Sequence, residues 1–105
     1  VGTNSAATEA MRKAGASRAA TGENAVAVAC RRADVIVGPL GIVMADALLG
    51  EITPAMALAV ARSRARRVLV PTNRCDTLVV GVAAGSMTAL VQQAVDEVQA
   101  VCAGR

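Results

Sequence analysis

Two short runs, Val35-Ile36-Val37 and Val68-Leu69-Val70, constrain this chain most. Neither alternates apolar with polar residues, so a strand built from either is covered on both faces. That is the position of a strand in a parallel sheet with helices on both sides. Each run ends on residues that stop a strand: Gly38-Pro39 after the first and Pro71 after the second. The segments around them carry helical signals, and helices alternating with short apolar strands predict a mainly parallel sheet flanked by helices.

Ser5 reads as the cap of a first helix over Ala6–Ala14, with Gly15 as its stop. Thr21 reads as the cap of a second, in which Val26, Ala29, Cys30 and Ala33 recur on one face and Arg31 and Arg32 sit in the last turn. Gly38-Pro39-Leu40-Gly41 is expected to turn, followed by a helix over Ile42–Leu49 that Gly50 ends. Thr53-Pro54 starts the next helix, which runs to about Ala65. Thr72–Asp76 is expected to be a polar loop. Leu78–Val82 then reads as a third strand, too close to the second for a parallel crossover and therefore an antiparallel edge. Ser86 caps a last helix with an apolar stripe of Met87, Leu90, Val91, Ala94, Val95, Val98 and Cys102. The whole, residues 1–105, is expected to be one α/β domain of Rossmann-like type.

Composition narrows the chemistry. The chain has no histidine and no aromatic residue. It therefore lacks the commonest general base and the stacking platforms of single-strand nucleic-acid binders. Cys30, Cys75 and Cys102 are odd in number and widely spaced, which offers neither a disulfide framework nor a zinc site and fits a reducing cytoplasm. No metal site is expected. The 19 uncharged residues Thr77–Val95 reach membrane-spanning length, but Gly85-Ser86 and Gln92-Gln93 interrupt them, so no membrane partner is expected. Arg62, Arg64, Arg66, Arg67 and Arg74 cluster without an acid. They read as a cationic helix end, not a nucleic-acid patch. With 24 alanines among 105 residues, the core buries little area per side chain, and a homo-oligomer is expected.

Ligands of open α/β sheets lie beyond the carboxyl ends of the strands. Three segments are expected there: Gly2-Thr3-Asn4-Ser5, which reads as the tail of a strand whose beginning is absent, with Thr3, Asn4 and Ser5 as site residues; Gly38-Pro39-Leu40-Gly41; and Pro71-Thr72-Asn73-Arg74-Cys75, with Asn73, Arg74 and Cys75 as site residues. The first two lead into helix N-termini, which favour anions, and Arg74 can clamp a phosphate or carboxylate. The expected ligand is a nucleotide or a phosphorylated small metabolite. A nicotinamide dinucleotide site normally has an acid at the end of its second strand, and Thr3-Asn4-Ser5 has none. Asp46 and Glu51 read as solvated helix-end carboxylates. Two alternatives stand beside the ligand-binding reading: a non-catalytic assembly module using the stripe of the last helix, and a small enzyme using Cys75 and Asn73.

The stretches Gly2–Thr8, Ala19–Ala25, Ala33–Gly50, Glu51–Ala57 and Val70–Cys75 resemble a family of short, functionally uncharacterised bacterial proteins. Members of that family begin with a strand and a Gly-Gln-Gly-Gly-Gly-type turn opening a helix, similar to the nucleotide-binding half of a Rossmann fold. The resemblance implies that this chain starts near the end of the family's second strand, without the phosphate-cradling turn. It implies the fold and the three-loop site, and no particular reaction.

Overall fold

The computed structural model describes residues 1–71, 77–81 and 86–104. It is an α/β fold with the helices α1 (Ser5–Lys13), α2 (Glu23–Arg32), α3 (Pro54–Arg62) and α4 (Met87–Ala103). They accompany the strands β1 (Val35–Pro39) and β2 (Arg66–Val70).

The two unalternating runs form the sheet. β1 and β2 pair in parallel, from Val35 opposite Arg66 to Pro39 opposite Val70. α4 packs on β2 and β1, while α2 and α3 pack on each other. Alternate residues of a parallel strand address opposite neighbours. The bond from the Arg66 amide to the Asp34 carbonyl (3.0 Å) therefore turns the backbone groups of Val35 and Val37 toward the edge of β1 away from β2. Among the described residues no strand occupies that edge. Nearby, Gly2 forms an isolated parallel bridge with Thr21, its amide donating to the Ala20 carbonyl and its carbonyl accepting from the Gly22 amide. Glycine is required at this close approach, because a Cβ on Gly2 would collide with the hydroxyl and amide of Thr8.

The core lies beside the sheet. Ala47, Ile52, Met56 and Ala57 are buried together, with Val26, Ile42, Met44 and Leu48 packed against them. Thr53 caps α3, its Oγ1 accepting from the Met56 amide, and Pro54 opens the helix. Ser86 caps α4, its Oγ accepting from the Ala89 amide. Arg67 donates to the carbonyls of Ser63 (2.8 Å) and Val60 (3.5 Å), so one member of the arginine cluster closes the C-terminal end of α3.

Several expectations are corrected. The α1 cap is Asn4, not Ser5: its Oδ1 accepts from the Ala7 amide at 2.8 Å. Gly22, not Thr21, caps α2, and the Thr21 hydroxyl instead lies 2.7 Å from that of Thr8. The helix over Ile42–Leu49 does not form. A short 3-10 turn, Leu40–Val43, is followed by a tight loop that carries Ala47 and Ile52 into the core. The antiparallel edge strand is not seen among the described residues. Leu78 and Val80 stand exposed, and Val80-Gly81 turns with Gly81 at φ 89°. Val82 lies outside the described residues. Cys102 is exposed, not a core residue, whereas Cys30 is buried.

Candidate functional site

The site grows from the chain's exit after Gly2. Thr3 and Asn4 lead into α1, and capping fixes Asn4: with Oδ1 turned to the helix, Nδ2 points outward. Both residues reach the same acceptor. Asn4 Nδ2 donates to Glu51 Oε1 at 2.8 Å and Thr3 Oγ1 donates to it at 3.2 Å, spanning 47 and 48 residues of sequence. Glu51 is exposed, and its neighbour Ile52 is anchored in the core.

An unusual loop delivers Glu51. Asp46, Leu48 and Leu49 have φ of 67°, 57° and 57°, and Gly50 follows at 88°. Left-handed backbone costs a branched residue on the order of 1–2 kcal/mol, so such a run persists only where its surroundings over-determine it. Here they do so through hydrogen bonds. The Asp46 amide donates to the Ile52 carbonyl (2.7 Å), the Ile52 amide to Ala47 (3.1 Å) and the Glu51 amide to Leu48 (3.1 Å).

Gly2, Thr3, Gly38 and Pro39 line one hollow of about 520 Å³, whose other walls are almost wholly apolar side chains of α1, α2, β1, α3 and the Glu51 loop. Gly38 sits in β1 with Ile42 close over it: a Cβ there would stand 3.1 Å from Ile42 Cδ1. Gly41 is buried in the 3-10 turn, and its carbonyl accepts from the Met44 amide at 3.0 Å. Ser5 is the exposed first residue of α1. Asn73, Arg74 and Cys75 lie outside the described residues. Of the remaining site residues, Thr3 and Asn4 meet on Glu51, and Gly38 joins Thr3 in the wall of the hollow.

Glu51 is exposed, as a solvated carboxylate should be, but among the described residues no helix ends beside it. Its reading as a solvated helix-end carboxylate assumed a helix before it, and nothing in local spacing ties it to Thr3 and Asn4. A similar long-range contact joins Thr53 Oγ1 to Glu23 Oε1 (2.9 Å), locking the first residue of α2 to the cap of α3. Three ionisable groups among the described residues are shifted: pairing with Arg12 holds the Glu9 carboxyl below the usual range and raises the Arg12 guanidinium, and burial pushes the Cys30 thiol up. Among the described residues no group of histidine, cysteine or acidic side chains is placed to hold a metal ion. No helix among them is long and apolar enough to cross a membrane.

Two parallel strands with α4 packed on them, and α2 and α3 packed on each other, place the chain among the α/β proteins. Its sequence matches the family described as Domain of unknown function (DUF3842) over residues 1–103, and the chain belongs to that family. No curated protein and no solved structure matches it.

Proposed function

We propose that the protein is a Rossmann-like binding module that takes a nucleotide or a phosphorylated small metabolite at the loops following its strands. The observation that carries this reading is the convergence of Thr3 and Asn4 on Glu51 beside the hollow that Gly38 and Pro39 share with Gly2 and Thr3. Apolar walls with a few fixed polar groups at one end are the usual make-up of a small-molecule site. The carboxyl ends of parallel strands are its usual place. Arg74, four residues beyond the end of β2, supplies the cation for the anionic part of the ligand.

Thermal unfolding against a panel of nucleotides and sugar phosphates tests the reading. A ligand at a hundred times its Kd adds about 2.7 kcal/mol to stability. Arg74→Ala should remove that gain. Failure of every member of the panel to shift the transition contradicts the reading.

A second reading, an assembly module, is favoured by α4. Met87, Val91 and Val95 follow one another at four-residue spacing on the helix and remain 50%, 46% and 42% exposed. A second copy of the chain is the occupant this reading requires. Light scattering on the Val91→Asp, Val95→Asp double variant checks it: a smaller particle with unchanged helicity supports the interface. A wild-type monomer at micromolar concentration rejects it.

A further inference from the structure

The carboxylate of Glu51 accepts from Asn4, the N-cap of α1, and so stands beside that helix N-terminus. Its position is set from both directions. Asn4 is committed at both ends, Oδ1 to the Ala7 amide and Nδ2 to Glu51 Oε1, so the side chain cannot rotate without losing the helix cap. The left-handed residues Asp46, Leu48, Leu49 and Gly50 and the buried anchor of Ile52 fix the backbone on the other side. Both donors, Thr3 Oγ1 and Asn4 Nδ2, fall on Oε1. Among the described residues Oε2 receives no donor. A fixed carboxylate with one free oxygen repels a phosphate and accepts a hydroxyl. Thr3 Oγ1, while donating to Glu51, keeps lone pairs for a second hydroxyl next to the first.

In dinucleotide-binding folds, an acid at the end of the second strand takes the ribose hydroxyls. The segment Thr3-Asn4-Ser5 lacks one, and the tertiary structure brings Glu51 to the same side chains from 47 residues further along the chain. We propose that Glu51, held by Thr3 and Asn4, is the hydroxyl acceptor of the site: it binds the vicinal diol of a nucleotide's ribose, and the phosphate end lies away from the α1 N-terminus. This rests on the ligand-binding reading and assigns the orientation within it.

Calorimetric titration of the full chain with adenosine monophosphate, its 2′-deoxy form and its 2′,3′-dideoxy form separates the two levels. Wild-type protein should bind the ribonucleotide about tenfold or more tightly than the dideoxy form, the scale of a lost hydrogen bond to a charged group. Glu51→Gln should erase most of that preference, and Thr3→Val should weaken it. Both positions are at the surface or half-buried, and circular dichroism confirms that the variants fold. Equal affinity for all three nucleotides in wild-type protein overturns the diol assignment and leaves the binding reading standing. A Glu51→Gln variant that keeps the full preference also overturns it. Absence of binding by any of the three overturns the assignment; the reading on which it rests falls only if the wider panel of nucleotides and sugar phosphates also fails to bind.

Discussion

Leu49 combines two costs. It is fully exposed and holds a left-handed φ of 57°. Asparagine tolerates that backbone better than a bulky aliphatic residue does. Leu49→Asn should therefore stabilise the protein by about 1 kcal/mol, read as a higher urea midpoint with unchanged slope. A lower midpoint would mean that Leu49 contributes contacts outweighing its strain. The cysteines provide a second check. Burial raises the Cys30 thiol above its ordinary range, so little of it is thiolate at neutral pH, whereas Cys102 is exposed. Iodoacetamide labelling followed by peptide mass spectrometry should modify Cys102 quickly and Cys30 only when the chain unfolds. Equal rates in native protein would contradict the burial of α2 against its neighbours. Glu51 belongs to this scale too. Its chemistry was legible as a carboxylate, but its role was not, because its partners are Thr3 and Asn4.

Among the elements, those with a local cause were legible. Val35-Ile36-Val37 and Val68-Leu69-Val70 became paired strands, but the cover expected on both faces is incomplete: Val37 in β1 is 54% exposed. Thr53-Pro54 and Ser86 open helices because their hydroxyls satisfy first-turn amides. The segment Ile42–Leu49 shows where local reasoning stops. Its apolar spacing suits a helix, yet burying both Ala47 and Ile52 in one cluster requires the tight left-handed loop. Tertiary burial won over periodicity. The described part of the third expected strand, residues 78–81, forms no strand for a related reason: β-branched content proposes a strand, but only a neighbouring strand makes one. The loop makes a prediction at this scale. Ile52 is the most buried core residue, 2% exposed, and it anchors the turn that presents Glu51. Ile52→Ala should cost about 2–5 kcal/mol and Ile52→Val about 0.5–1.5 kcal/mol, measured by urea unfolding. If Ile52→Ala leaves stability unchanged, the core is not where these contacts put it.

At the scale of the molecule, the sheet has two described strands and a thin core. Four of the nine buried apolar residues are alanines, and no large side chain among the described residues is completely enclosed. Apolar hollows of about 490 and 520 Å³ flank the β1 edge, the first beneath α4 and the second toward α2 and α3. Sheets generally need three or more strands, or a covering layer, to be independently stable. Unfolding free energy should therefore lie at or below the low end of the usual range, about 5 kcal/mol, and the melting temperature should rise with protein concentration as copies associate. A high melting temperature independent of concentration would contradict this picture of α4 and the open edge.

The central proposal is that Thr3, Asn4, Glu51 and the Gly38–Gly41 turn form one binding rim. Amide NMR spectra of isotope-labelled full-length protein, recorded while adenosine monophosphate is titrated to millimolar concentration, test it most directly. Shifts concentrated at Thr3, Asn4, Gly38, Gly41 and Glu51 are the expected result. Spectra that do not move, or that move only along α4, would contradict it.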